Sequence, residues 1–179
     1  MAGWATAAAL LLLPLVAMQF TDEVNWDVFD FAVFGAMLLG IGVTYELAVR
    51  MTANTAYRAA VGVAVAAAFL LVWVNLAVGI IGSEDNPANL MYGVVLAIAV
   101  IGAFIVRFQP AGMARVLSAT ALAQALVGVI ALTAGFGSMA PSFPEAIVFA
   151  TGFFAALWLL SAYLFLKAAR ERTPVDRVP

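Results

Sequence analysis

The chain of 179 residues contains no cysteine and no histidine. Without cysteine there is no disulfide, no thiolate nucleophile and no cysteine-bound metal cluster. Without histidine there is no histidine-ligated haem, zinc or copper, and no imidazole for acid–base catalysis. These two absences remove the side chains on which most membrane redox subunits depend.

Charge is also scarce, because only 10% of the residues are Asp, Glu, Lys or Arg, whereas 66% are hydrophobic. A soluble domain averages about 25% charged and about 45–50% apolar residues. A core of this size cannot hide so much apolar surface, since small domains leave much of their surface in contact with water. The composition therefore predicts a chain that lives in a lipid bilayer.

Six apolar runs have about the length needed to cross a bilayer, which takes roughly 20 residues per helix. They cover residues 2–19, 29–49, 59–82, 90–106, 116–136 and 146–166. The short connections between them are typical of antiparallel neighbours in a helical bundle. We predict an all-α polytopic membrane protein, a compact bundle of six transmembrane helices that forms one domain over 1–170. A short disordered cytoplasmic tail is expected at 171–179.

The basic residues are confined to one side of this predicted bundle. All eight Lys and Arg fall in the second loop, the fourth loop or the C-terminal tail. The first, third and fifth loops carry acidic residues and no basic ones. Cytoplasmic loops of membrane proteins are enriched in Lys and Arg. The pattern predicts that both termini are cytoplasmic.

Small residues form stripes of the kind that lets helix backbones approach each other in lipid. The second predicted helix carries them at steps of four residues: Ala32, Ala36, Gly40 and Thr44. The fifth carries Thr120, Gln124 and Gly128, and the dipeptides Gly82-Ser83 and Gly137-Ser138 occupy equivalent places in two loops. We interpret the stripes as packing within the bundle, although the stripe on the second helix would equally serve a homodimer.

Four side chains near mid-membrane are candidates for a ligand site: Trp73, Asn75, Gln124 and Trp158. Polar groups in lipid are costly unless paired, and each indole N–H needs an acceptor. One hypothesis is that these four line a small internal site. The alternative is that Asn75 and Gln124 join helices through hydrogen bonds. Glu46 and Arg50, four residues apart, are predicted to form an ion pair.

A second candidate site is acidic and consists of carboxylates from two loops: Asp22, Glu23, Asp27, Asp30, Glu84 and Asp85. Carboxylate oxygens are the ligands that calcium takes, but no spacing of the EF-hand type is present. The favoured alternative is helix capping, in which Asp27 and Asn86 accept backbone N–H bonds at helix starts.

Several stretches carry a resemblance to known proteins. They are WVNLAVGIIGSEDNPANLMY at 73–92, RFQPAGMAR at 107–115, ALAQAL at 121–126 and FTDEVNW at 20–26. They resemble a group of small bacterial integral membrane proteins that carry no assigned function. The resemblance covers about half of the chain and implies a multi-pass protein of the bacterial inner membrane. It brings no activity with it.

No motif in the sequence indicates catalysis. There is no phosphate-binding loop, dinucleotide fingerprint, zinc-protease motif or nucleophile elbow. We therefore expect no catalytic residue, no bound metal in a catalytic role, no cofactor and no nucleic-acid partner. Two functions stay open: a ligand-binding or transport protein with a site between the helices, and a non-catalytic accessory or assembly subunit. The expected partners are the bilayer itself and either a second copy or a larger membrane complex.

The predicted topology is testable with reporter fusions placed after Arg50, Arg107 and Leu166. Each fusion should report a cytoplasmic location, because each joint lies on the side that holds all the basic residues. A periplasmic signal from any one of them would contradict the arrangement of six spans with both termini inside.

Overall fold

In a computed structural model of the chain, the described residues are 2–21 and 24–171, and every regular element in them is helical. The α-helices are α1 (Ala2–Ala17), α2 (Val28–Met51), α3 (Thr55–Ala77), α4 (Met91–Ile105), α5 (Pro110–Thr133) and α6 (Glu145–Glu171). A 3-10 helix, Pro87–Leu90, leads directly into α4. The predicted all-α fold class is confirmed.

Five stretches in the described residues are long and apolar enough to cross a bilayer: Val28–Met51, Thr55–Ala77, Pro87–Ile105, Pro110–Thr133 and Glu145–Glu171. The remaining helix, α1, is apolar but has only 16 residues. At 1.5 Å per residue it is about 24 Å long, against a hydrocarbon core of about 30 Å. Length and composition thus support a multi-pass membrane protein.

The helix ends differ from the predicted ones by up to six residues. Helix α5 begins at Pro110 rather than at 116, and α6 continues to Glu171 rather than ending at 166. Hydropathy marks the apolar part of a helix, whereas these helices add polar turns beyond it. In contrast, α3 ends at Ala77 instead of 82, because Gly79 adopts a φ of 68° and turns the chain.

The chain divides into two compact units, residues 1–51 and residues 52–179. We call α1 and α2 the N-terminal hairpin and α3–α6 the C-terminal bundle. The single domain expected over 1–170 stays a prediction. Of the tail expected at 171–179, Glu171 is the last residue of α6, and 172–179 lie outside the described residues.

The N-terminal hairpin is joined near the start of α1 and the end of α2. The Trp4 indole lies on Gly42, where an added Cβ would come within 2.7 Å of the ring. Its Nε1–H donates to Glu46 at 3.0 Å, and Glu46 also pairs with Arg50, which confirms the predicted ion pair. The Gln19 side chain follows the last turn of α1 and donates to the Leu15 carbonyl at 3.4 Å.

The face of α2 that packs against α1 is not the predicted stripe of small residues. Gly35 and Gly42 meet the side chains of Leu11 and Trp4. The predicted stripe is exposed at all four positions, Ala32, Ala36, Gly40 and Thr44. The spacing of seven residues between Gly35 and Gly42 keeps both on one face of the helix, so α2 has two faces with small residues and only the contact with α1 distinguishes them.

In the C-terminal bundle, α6 packs between α3 and α5, and α4 packs on the far side of α5. Neighbouring helices are antiparallel and approach closely at glycines. A Cβ on Gly102 would lie 2.6 Å from the Val116 side chain, and one on Gly112 would lie 2.6 Å from that of Val106. The central position of α5 and α6 makes them the most buried of the apolar helices.

The two ends of the C-terminal bundle differ in their connections. At one end, which we call the glycine end (residues 78–90 and 134–144), Gly82 and Gly137 both adopt positive φ and their backbones touch. The Asn89 side chain fixes the first of these loops. It accepts from the backbone N–H of Ile81 at 2.9 Å and donates to the Ser83 carbonyl at 2.7 Å.

The other end, the arginine end (residues 52–54 and 106–109), is closed by contacts between helix termini. The Asn54 side chain accepts from the Tyr57 N–H at 2.8 Å and donates to the Glu171 carboxylate at 2.8 Å. The Tyr57 hydroxyl donates to the Phe108 carbonyl at 3.0 Å. These bonds link the start of α3 to the end of α6 and to the turn between α4 and α5.

The contact at the glycine end predicts unequal costs for two similar substitutions. Gly135→Ala places a Cβ in open space at a φ of 70° and should cost about 1–2 kcal/mol of unfolding free energy. Gly137→Ala should cost about 1–3 kcal/mol more, because its Cβ would lie 2.7 Å from the Gly82 nitrogen. Thermal or denaturant unfolding in detergent measures both, and equal losses would mean that the two loops separate easily.

Candidate functional site

Three polar side chains in the middle of α5 and α6 are completely buried: Thr120, Gln124 and Ser161. The Thr120 hydroxyl donates to the Val116 carbonyl at 3.0 Å. The Ser161 hydroxyl crosses to α3 and donates to the Ala60 carbonyl at 2.7 Å. Gln124 differs from both, because neither atom of its side-chain amide has a hydrogen-bond partner.

Gln124 belongs to a larger group of buried polar atoms that lack partners. The group contains five atoms: the Tyr92 hydroxyl, both amide atoms of Gln124, the Thr151 hydroxyl and the Trp158 indole nitrogen. We call these four residues the polar layer. In most proteins the large majority of buried polar side-chain atoms are hydrogen-bonded, so five unpaired atoms on three neighbouring helices are unusual.

A glycine on α5 brings two members of the polar layer together. Gly128 has no side chain, and the Thr151 hydroxyl of α6 occupies the space that a Cβ would fill. The Tyr92 hydroxyl of α4 lies close to that of Thr151 without completing a hydrogen bond. Three helices therefore contribute to one polar level of the bundle.

Gln124 and Trp158 lie on the arginine-end side of this level. Gln124 precedes Gly128 by one helical turn on the same face of α5. Trp158 follows Thr151 by two turns on α6, which runs in the opposite direction. Side chains on a helix lean toward its N-terminus, so Gln124 leans toward the arginine end and Trp158 toward the glycine end.

Apolar side chains close the polar layer at both ends. Toward the glycine end, Ile81 and Ile147 are 0% and 1% exposed. Toward the arginine end, Leu117 and Phe165 are buried to the same degree, and the Phe165 ring packs edge-on against that of Tyr57 at 5.1 Å. The layer is therefore an enclosed polar region at the middle of the bundle.

Trp73 and Asn75, the other two predicted ligand residues, do not lie in the polar layer. Both are half-buried. Ala60 of α3 lies beside Ser161 of α6, and the two helices are antiparallel. Counted from this pair at 1.5 Å per residue, Asn75 lies about 18 Å from Trp158 along the bundle axis. Of the four predicted residues, Gln124 and Trp158 are thus fully buried on the packed helices α5 and α6, whereas Trp73 and Asn75 are half-buried near the end of α3.

Trp73 and Asn75 make contacts within α3 near its end. Asn75 is two residues from the last residue of the helix and donates to the Leu71 carbonyl at 2.7 Å, leaving its buried carbonyl oxygen unpaired. The Trp73 ring stacks on that of Phe69 with 6.4 Å between centroids. Asn75 does not join two helices through this bond, contrary to the helix-joining alternative.

Sequence reasoning missed Tyr92 and Thr151. The position of Tyr92 at the start of α4 is typical of an interfacial aromatic residue, yet it is 2% exposed. The sequence signal for Thr151 lies on α5, where Gly128 continues the stripe of Thr120 and Gln124 and leaves space for a side chain of α6. That stripe is buried at all three positions, as its pattern predicted.

Two of the acidic residues, Asp27 and Asp30, bond to backbone N–H groups at the start of α2. The Asp27 carboxylate accepts from the N–H groups of Phe29 and Asp30 at 2.7 and 2.9 Å, and Asp30 in return accepts from the N–H of Asp27 at 2.9 Å. Asn86 accepts from the Ala88 N–H at 3.0 Å. The capping roles predicted for Asp27 and Asn86 are confirmed.

The remaining residues of the acidic set make no such contact in the described part of the chain. Glu84 and Asp85 are exposed, and Asp22 and Glu23 lie outside the described residues. Within residues 2–21 and 24–171 no group of three or more acidic side chains is placed to hold a metal ion. The cation hypothesis therefore gains no support from the geometry.

Comparison of the chain with protein-family models, curated proteins and solved structures gives no match. The functional argument therefore depends on the residues themselves.

The unpaired amide of Gln124 predicts an unusual response to substitution. Gln124→Met keeps the side-chain volume and removes two unpaired polar atoms, so the unfolding free energy of the ligand-free protein should hold or rise by about 1–2 kcal/mol. Ser161→Ala is the control and should lose about 1 kcal/mol, because it removes a made hydrogen bond. A loss at Gln124 as large as that at Ser161 would mean that the amide is paired within the protein.

The capping geometry predicts insensitivity to divalent cations. Asp27→Ala should lower the unfolding free energy by about 1 kcal/mol, whereas the exposed Glu84→Gln should change it little. Millimolar calcium should leave the unfolding temperature of the unmodified protein unchanged. A rise of several degrees with calcium that disappears in an Asp27→Asn, Glu84→Gln double variant would contradict the capping role and restore the cation site.

Proposed function

We propose that the protein binds a small uncharged molecule, or the uncharged head of a larger one, at the polar layer of the C-terminal bundle. The observation that carries the proposal is the set of five buried polar atoms without partners on Tyr92, Gln124, Thr151 and Trp158. Each unpaired buried group costs about 1–3 kcal/mol. A guest that offers both donors and acceptors would recover much of that cost on binding.

The proposed guest is uncharged because the interior of the bundle offers no opposite charge. No Asp, Glu, Lys or Arg lies between Arg58 and Glu84, between Asp85 and Arg107, or between Arg115 and Glu145. The segment 146–166 has none either. Burying an ion without a counter-ion in such a medium costs far more than hydrogen bonds return. The hydroxyls, amide and indole instead suit alcohols, amides and carbonyl compounds.

We place this site in a six-span protein of the bacterial inner membrane with both termini in the cytoplasm. The confinement of Lys and Arg to one set of connections supports this orientation. The first span is the shortest, and the turns after Ala17 extend it, since Met18 and Thr21 donate to Pro14 and Ala17. A short span is accommodated by local thinning of the bilayer.

Transport is the form of this function that the enclosure favours. A site at mid-membrane that is closed on both sides is what an occluded carrier needs, because access must alternate between the two surfaces. The glycine end supplies backbone turns at Gly79, Gly82, Gly135 and Gly137, all with positive φ, where a loop could move without breaking a helix.

An accessory role is the second candidate, and one observation favours it. The stripe of small residues on α2, which would let another helix approach closely, is exposed throughout its length. A subunit that docks on a larger membrane complex, or on a second copy, would use such a face. Gly40→Leu should then disrupt co-purification or self-association while leaving ligand binding unchanged.

Binding at the polar layer can be tested through the fluorescence of Trp158. In a variant with Trp4→Phe, Trp26→Phe and Trp73→Phe, the remaining indole reports on the layer alone. The probes are 2-bromoethanol, which is neutral, and bromoacetate, which matches it in size but is charged at pH 7. Bromine quenches indole fluorescence on contact, so we expect saturable quenching by the alcohol and none by the carboxylate.

A Gln124→Met substitution in the same background is the matched control. It should weaken quenching by 2-bromoethanol about tenfold or more, because it removes the donor and acceptor beside the indole. Quenching that rises linearly with concentration, or that is unchanged by Gln124→Met, would contradict a site at the polar layer.

A further inference from the structure

An apolar groove of about 320 Å³ runs between α3 and α6 on the side of the C-terminal bundle. Its volume is in the range of small-molecule sites. The groove is lined by hydrophobic side chains that include Leu70, Val74, Val78, Ala150, Phe153 and Phe154. No charged residue contributes to it.

The groove opens away from the bundle axis. Phe149 and Val78 at its rim are 75% and 59% exposed, and Phe153 is 41% exposed. Both helices that form it are long and apolar enough to cross a bilayer. The groove extends from Leu70 in α3 to Gly79 and Ile80 at the glycine end, so in a spanning bundle its inner part opens toward hydrocarbon chains.

Phe154 is a lining residue of the groove that is also buried in the bundle. It lines the groove and yet is only 2% exposed, and its ring packs edge-on against Phe153 with 5.2 Å between centroids. On the helical wheel of α6 it lies between the groove face, which carries Ala150, and the face of Thr151 and Trp158. The Phe154 ring therefore borders both the groove and the face of α6 that carries Thr151 and Trp158.

The routes along the bundle axis are blocked more heavily than this lateral one. At the glycine end, Ile81 and Ile147 are fully buried and the backbones of Gly82 and Gly137 touch. At the arginine end, Leu117 and Phe165 are fully buried, and Tyr57 packs on Phe165. An axial ligand would have to displace backbone, whereas a lateral one has to displace side chains, which are Phe154 on α6 and the fully buried Leu71 on α3.

We infer that the ligand is a membrane-soluble amphiphile with an uncharged polar head and that it enters from the bilayer through this groove. This inference rests on the proposed function. Its apolar tail occupies the groove between α3 and α6. Its head passes Phe154 and bonds to the polar layer. The head is a hydroxyl or carbonyl group, because the layer offers hydrogen bonds and no counter-ion, which disfavours phospholipid head groups.

The experiment extends the Trp158 reporter to a longer probe. 2-Bromododecanol and 2-bromododecanoate carry bromine at the same position and share one tail, but at pH 8 only the second is charged. We expect the alcohol to quench Trp158 saturably and about tenfold or more tightly than 2-bromoethanol, because burying a longer apolar tail adds affinity. The carboxylate should not quench.

Two substitutions of valine by phenylalanine test the route. Val74→Phe narrows the groove, and quenching by 2-bromododecanol should become about tenfold slower or weaker, while quenching by 2-bromoethanol stays unchanged. Val94→Phe is the matched control on α4, at a position that is 61% exposed and outside the groove, and should behave as the parent. The thermal unfolding of both variants verifies that they fold.

The remaining outcomes separate this inference from the proposed function. The lateral route would be overturned, and the site kept, if 2-bromoethanol quenches saturably but 2-bromododecanol binds no more tightly. The same holds if Val74→Phe does not change quenching by 2-bromododecanol. Equal quenching by the dodecanoate would overturn the uncharged head. Failure of both alcohols to quench saturably would overturn the site together with the route.

Discussion

The close approach of α5 and α6 at Gly128 is the contact on which the arrangement of the C-terminal bundle depends. Because Gly128 has no side chain, α6 lies near enough for the Thr151 hydroxyl to fill the vacant position. These two helices then form the centre, with α3 packed on one side and α4 on the other. The hydrophobic effect does not bring helices together inside a lipid bilayer, so close packing of this kind supplies much of the attraction between them.

The same contact explains why polar groups gather at the centre without pairing. Thr120 and Ser161 find carbonyl partners, one within its own helix and one on α3. Gln124 of α5 and Trp158 of α6 are buried and stay unpaired. The described bundle therefore keeps unpaired polar groups in its most buried region, which is unusual in proteins.

Sequence patterns predicted the all-α class, six spans of which five are long and apolar enough in the described residues, and the buried stripe of α5, because each depends on composition or on helical periodicity. They predicted Gln124 and Trp158 as central for the same reason. They failed where the answer depended on another helix. Hydropathy alone could not show that Gly79 ends α3 early, which moves Asn75 to the end of that helix. Nor could α2 alone reveal that Gly35 and Gly42, rather than the stripe at Gly40, face α1.

The lack of charge between the ends of the C-terminal bundle has an electrical consequence. Moving one elementary charge across a membrane changes its free energy by about 2.3 kcal/mol for each 100 mV of membrane potential. The segments 59–83, 86–106, 116–144 and 146–166 carry no Asp, Glu, Lys or Arg. Rearrangements of these segments move no formal side-chain charge through the field, and an uncharged guest adds none. For the uncharged guest proposed above, binding and release at the polar layer would therefore move no formal charge through the membrane field.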